Sequence, residues 1–270
     1  MRRNDISFGI VQGRLTRSKI LQKFPKNWKK EFNLIKKTKL KFIELLDERK
    51  FNSLNPLTYK GGFNEIDQII KKNKLIKYSI CTDYIINNNL FSNKNNKTLK
   101  HVERLIDLSA KYKYKVFILP LLEASTINKK NWKYAIKILS RISDQVKNTS
   151  LLICLETILD TKILIKLLKS VNKKNIKCVF DTGNRVLISN SLKDEILKLN
   201  KFIGHVHIKD KNKKNLNVVL GTGKVNFIEI FKALKKINYK GKFTFETNRG
   251  ENPLDTAIYN DYFCNFLNKQ

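Results

Sequence analysis

The sequence predicts one (β/α)8 TIM barrel over residues 1–270, treated as a single domain. Three observations carry that prediction. Short apolar runs rich in β-branched residues alternate eight times with helix-like stretches, one unit every roughly 25–40 residues. The runs are nearly continuous in apolar character, as strands buried on both faces of a parallel sheet must be. No Pro/Gly/Ser-rich linker interrupts the series, and the first run leads into GIVQGRL rather than GxGxxG, which counts against an open doubly wound sheet.

Taken in order, ISFGIV (6–11) precedes a helix expected near 27–38. KFIELL (41–46) leads through a long loop to a helix near 63–72, and IKYSIC (76–81) to one near 95–111. KVFILP (115–120) precedes a helix near 129–147, and LLICLE (151–156) one near 160–171. IKCVFD (176–181) is followed by 191–199, FIGHVHI (202–208) by 226–236, and KFTFE (242–246) by a closing helix near 254–267.

Composition sets the outer limits. At 41% hydrophobic the chain can bury a sizeable core, and no apolar run of 18 residues is present to span a bilayer. The start, MRRNDISFGIVQG, carries two arginines, but its apolar run is too short for a signal peptide. Cys81, Cys154, Cys178 and Cys264 form no CxxC pair; the first three fall in expected strands and read as reduced, buried thiols. A cytoplasmic protein is the expectation, with a homo-oligomer left open. The net charge of +32 invites a nucleic-acid reading, yet only nine of the 55 basic residues are Arg. Base readers and bidentate phosphate grips lean on Arg. Lys scattered over helix faces beside abundant Asn and Ile reads as a compositional, solvated surface.

The acids are placed less evenly than the lysines. The chain has 23 Asp and Glu, and seven of the eight expected strands carry one at or just past the end: Glu44, Asp83, Glu123, Glu156, Asp181, Asp210 and Glu246. In a barrel of this kind the C-terminal strand ends form the active-site face. Helix N-capping explains Asp83, Glu123 and Asp210 as well as a site does. It fails for Glu156 and Glu246, each the last residue of its apolar run. Glu156 to Asp181 is 25 residues and Asp181 to His207 is 26, so successive units deliver equivalent groups. Three carboxylates and one imidazole suit one divalent cation: Mn2+, Mg2+ or Co2+, with Zn2+ compatible.

The segments GIVQGRL, CLET, FDTGN, GHVHIKD and LGTGKVNF resemble the sugar phosphate isomerase/epimerase group of the xylose-isomerase-like barrels, from Gly9 to about Arg249. The resemblance implies that Glu156, Asp181, His207 and Glu246 bind one divalent cation. It implies also that Glu156 and Glu246 are catalytic, handling the proton of a small carbohydrate substrate. Many relatives carry His three residues after the metal-binding Asp; here that position is Asn184, which can hydrogen-bond a sugar hydroxyl but cannot titrate.

Other candidates surround these. Arg14 and Arg249, just past the first and last strands, are expected to hold an anionic substrate, with Glu44, Asp83, Glu123 and Lys209 as further substrate contacts. His205 shares a strand face with His207 and reads as a packed core histidine. His101 reads as a surface residue of a helix. Gly221 and Gly223 in LGTGK read as a tight turn rather than a phosphate cradle. An abasic-site endonuclease of the same barrel family would need a His-rich three-metal cluster, and this chain has three histidines. A non-catalytic sugar binder would have no need of two proton-transfer carboxylates.

Overall fold

The computed structural model describes residues 6–92 and 96–270. The expected helix start at residue 95 and the two arginines of the N-terminal segment lie outside the described residues. The strands are β1 (Phe8–Val11), β2 (Phe42–Asp47), β3 (Ser79–Thr82), β4 (Val116–Pro120), β5 (Leu152–Glu156), β6 (Ile176–Asp181) and β7 (Ile203–Ile208). A two-strand antiparallel ribbon, β8 (Asp210–Lys211) with β9 (Asn217–Val218), precedes β10 (Phe243–Phe245). Eight parallel strands hydrogen-bond in the order β1-β10-β7-β6-β5-β4-β3-β2 and close on themselves, the barrel the sequence predicts.

Between the strands run α1 (Trp28–Leu34), α2 (Gly62–Lys72), α3 (Tyr84–Asn87), α4 (Asn96–Lys111) and α5 (Trp132–Gln145). They are followed by α6 (Thr161–Val171), α7 (Thr182–Arg185), α8 (Leu192–Leu199), α9 (Phe227–Lys236) and α10 (Pro253–Asn268). Their starts are chemically marked. Asp160, Ser191 and Asn226 each accept a backbone N–H from the first turn that follows, and Asn252 does so ahead of Pro253. Asn172 ends α6 in the left-handed region at φ 50°, where Asn is tolerated.

The chain divides into two compact units, one made of Met1–Glu44 with Phe180–Gln270, the other of Leu45–Val179. In the first, Phe8 stacks on Phe245 at 4.9 Å and tilts against Phe243 at 5.5 Å, with Phe231 and Tyr239 closing around Phe243. In the second, Phe117, Ile118 and Leu119 of β4 face the equally buried Ile153, Cys154 and Leu155 of β5 in parallel register. All four cysteines are buried and none forms a disulfide. Among the described residues no helix is long and apolar enough to cross a membrane.

Element boundaries shift for physical reasons. β3 starts at Ser79, not Ile76, because Ile76 is 37% exposed and lies in the approach to the sheet. β2 runs on to Asp47, which makes Glu44 a mid-strand residue rather than a strand-end one. Glu246 falls just outside β10, although its N–H still donates to Ile208 O at 3.0 Å.

Candidate metal centre

In the first unit the sheet brings a set of charged groups into a dry place. Asp181 is the last residue of β6, His207 the penultimate residue of β7, and Glu246 the residue after β10. The β7–β10 register sets Thr244 beside His207, which carries Glu246 past the strand end toward the same side chains. The β1–β2 register pairs Val11 with Glu44. His205 and His207, two apart on β7, point the same way, and their rings meet edge to face at 5.1 Å.

The distances describe one network. His207 Nε2 is 3.0 Å from Glu44 Oε1, while its Nδ1 is 3.2 Å from Glu246 Oε2 and 3.8 Å from Asp181 Oδ2. Lys209 Nζ lies 2.8 Å from Asp181 Oδ2 and 2.9 Å from Glu246 Oε2. Asp181 Oδ1 accepts the Asn184 N–H at 2.8 Å, capping α7. His205 Nε2 lies 3.2 Å from Glu44 Oε2 and 2.9 Å from Thr244 Oγ1. Glu44 and His205 are fully buried, and Asp181 and His207 are 1% exposed.

Electrostatics follow from that burial. Desolvation works to raise the Glu44 carboxyl, but the charge of His207 and the bonds from both histidines hold it far below the usual range. Burial opposes a charged His207, yet Glu44, Asp181 and Glu246 together lift it well above an ordinary imidazole. Glu246 is held well below its usual value against its own desolvation, first by Lys209 and then by His207. His205 goes the other way, lowered by burial despite Glu44. The network therefore contains ionised carboxylates gathered around nitrogen donors.

Such a donor set fits a divalent cation. Asp181, His207 and Glu246 offer ligand atoms that lie within 4.8 Å of one another, and all three are buried. The Lys209 ammonium, already seated between two of the carboxylates, shows that their oxygens accept a cation between them. Carboxylate oxygens with one imidazole form a hard-to-borderline donor set.

The remaining predicted residues are placed as follows. Arg14 is buried and donates Nε to Thr247 O at 2.8 Å; it also bonds Leu21 O and Gln22 Oε1, and it lies 4.0 Å from Glu246 Oε1. Arg249 donates to Gly13 O (2.6 Å), Ile20 O (3.0 Å) and Leu21 O (2.8 Å). Both guanidiniums therefore strap the loops after β1 and β10. Asn184 is half-buried beside Asp181. In the second unit, Glu156 ends β5 with 6% exposure, and its carbonyl accepts Leu121 N–H at 2.8 Å. Asp83 is buried and accepts from Cys81 Sγ at 3.5 Å. Glu123 is exposed and paired bidentately with Arg49 at 2.8 and 3.0 Å.

One reading changes. His101 is no surface residue: its side chain is 13% exposed, bonded to Asp47 Oδ2 at 2.9 Å and packed on the Tyr84 ring. The turn at Gly221 and Gly223 is tight as expected, with Thr222 N–H donating to Val219 O at 3.1 Å, and it wraps the chain's own Asp210 carboxylate. Asp210 accepts N–H groups from Gly221 (3.0 Å), Gly223 (2.8 Å) and Val225 (3.1 Å). Residues that sequence reasoning passed over include Glu31, which takes the Gly13 and Leu15 N–H groups at 2.6 and 3.0 Å, and Asp47. Only Asp47, directly after the apolar run FIELL, carried a usable signal.

A model of the xylose isomerase-like TIM barrel matches residues 32–260. L-ribulose 3-epimerase of Methylomonas sp. (strain DH-1) is 28% identical over 132 residues, covering 46% of this chain and 45% of that protein. The match thus spans about half the relative's length. Among solved structures, D-psicose 3-epimerase with D-tagatose from Clostridium cellulolyticum H10 superposes with a TM-score of 0.79 at 18% identity, covering 97% of this chain and 99% of that one. A xylose isomerase-like TIM barrel protein from Mycobacterium smegmatis in complex with magnesium gives 0.73 at 17% identity, covering 98% and 96%. At these identities the two structures speak for the fold.

Proposed function

The chain belongs to the xylose isomerase-like TIM barrel family, and from that premise we propose that it is a metal-dependent sugar or sugar-phosphate isomerase or epimerase. The observation that carries the reading is the buried Asp181–His207–Glu246 group, whose donor atoms converge at strand ends. Relatives whose names record ketose 3-epimerases support a ketose as the substrate class. Glu156, which ends its own strand as Asp181 does, is proposed as the fourth ligand.

A bound divalent cation would supply Lewis-acid polarisation of the substrate carbonyl. The rest of the work falls to side chains. Glu246, held ionised by Lys209 and His207, is the carboxylate proposed to take or return a proton on carbon. Glu156 is proposed as the second such base. Two bases on opposite faces of an enediolate give epimerisation; one base serving adjacent carbons gives aldose–ketose isomerisation. Asn184 is assigned to a sugar hydroxyl and Lys209 to a substrate oxygen. Among the sequence candidates, Arg14 and Arg249 are reassigned to loop bracing, and Glu44 to the support of His207.

The test is solvent-deuterium incorporation into a panel of keto- and aldo-sugars, free and phosphorylated, with saturating Mn2+. Exchange at a carbon next to the carbonyl is expected, with loss in Glu246→Gln of about 10²–10⁴ in rate. No exchange with any sugar at saturating metal would sink the reading.

A further inference from the structure

Lys209 follows β7 directly and is held with unusual care for a lysine. Its N–H donates to Thr182 Oγ1 at 2.9 Å, and the same hydroxyl donates to the Lys209 carbonyl at 2.5 Å. Its stem then crosses Gly183, where an added Cβ would come within 2.7 Å of Lys209 Cγ and 3.1 Å of its Cβ and Cε. The Asp-Thr-Gly run therefore serves the lysine at every position: Thr182 clamps the main chain, Gly183 leaves room for the stem, and Asp181 receives the ammonium. Nζ ends 2.8 Å from Asp181 Oδ2 and 2.9 Å from Glu246 Oε2, with the lysine 5% exposed.

Those oxygens belong to two of the groups assigned to the cation. A divalent ion sits about 2.0–2.3 Å from carboxylate oxygens. Sharing the same two atoms with an ammonium would press like charges together in a dry place, where repulsion is strong. We propose that Lys209 is the resident counter-cation of this site: its ammonium and a divalent cation exclude one another, and admitting the metal requires Nζ to swing off Asp181 and Glu246. The inference rests on reading Asp181, His207 and Glu246 as a cation site. Two consequences follow. The anionic cluster stays compensated without metal, and part of the intrinsic metal affinity is spent on displacing the lysine.

The experiment compares the wild type with Lys209→Met and Gly183→Ala, each stripped with chelator and titrated calorimetrically with Mn2+. Lys209→Met removes the competitor, whereas Gly183→Ala pushes the stem aside and leaves every charge in place. Both are expected to bind Mn2+ more tightly than the wild type by about tenfold or more. Stripped Lys209→Met is also expected to unfold at lower denaturant, with the deficit closing at saturating Mn2+. Should that variant fail to fold without metal, Gly183→Ala decides alone. Equal or weaker binding in Gly183→Ala overturns the proposal while leaving the cation site intact, even if Lys209→Met tightens, because lost charge would then explain the effect. Absence of binding in all three proteins is a different failure: it removes the cation site and this inference with it.

Discussion

Glu44 shows how much a single buried group can organise. Its two oxygens reach His207 Nε2 at 3.0 Å and His205 Nε2 at 3.2 Å, with the Thr244 hydroxyl at 3.1 Å. A hydrogen bond at one ring nitrogen fixes which nitrogen is left to bind elsewhere. With Glu44 Oε1 facing Nε2, the His207 ring presents Nδ1 to Asp181 and Glu246. Partners of this kind are worth about 10–100-fold in metal affinity. Glu44→Gln, which keeps an acceptor but loses the charge, is expected to weaken Mn2+ binding within that range. Glu44→Ala, leaving His205 and Thr244 short of a partner, should in addition lose about 1–3 kcal/mol of stability. Calorimetry and denaturant titration check the two effects, and Mn2+ affinity unchanged in Glu44→Gln would make Glu44 a packing residue only.

At the scale of an element, α2 depends on charge at one point. Asp67 on this helix pairs with Lys71 at 2.7 Å, one turn on, and with Lys77 at 2.6 Å, just ahead of β3. Burial works to raise its carboxyl, but the two ammonium groups overcome that and lower it. A carboxyl lowered on folding contributes stability that is present above its unfolded value, near 3.9, and lost as pH falls through the lowered folded value. Asp67→Asn is therefore expected to be less stable than the wild type at pH 7, by on the order of 1 kcal/mol or less. The gap should narrow from about pH 4 downward. Thermal unfolding of both proteins between pH 7 and pH 2 measures it; a constant difference would show that the pairs do not stabilise the helix.

At the scale of the whole molecule, the net charge of +32 is the dominant feature outside the barrel interior. A field of that size attracts polyanions without reading them, and such contacts weaken steeply with salt. Duplex DNA is expected to bind at low ionic strength and to be lost by about 200 mM salt. No cleavage is expected at abasic sites, because the chain's three histidines are His101, His205 and His207, and His101 is occupied with Asp47. Gel-shift titrations across salt, with nicking assays on an abasic duplex in Mn2+ or Zn2+, test both points. Metal-dependent nicking would transfer the site to nucleic-acid chemistry.

The sequence by itself determined the succession of strands and helices and the donor at the end of each decisive run. Apolar run length, β-branching and capping residues are local properties, so LLICLE, IKCVFD and GHVHI announce strands wherever they fold. Tertiary structure decided which groups meet. Glu44 lies 161 residues from His205 and 200 from Thr244, and only the registers of β2 with β1, β1 with β10 and β10 with β7 set them in one network. The same holds for Arg14 and Arg249, whose guanidiniums turn to loop carbonyls more than 200 residues away as well as to nearby ones. Burial rewards any strand for hiding apolar surface, whereas an ionised group buried with it must find its partner across the sheet. That pairing exists only once the strands are side by side.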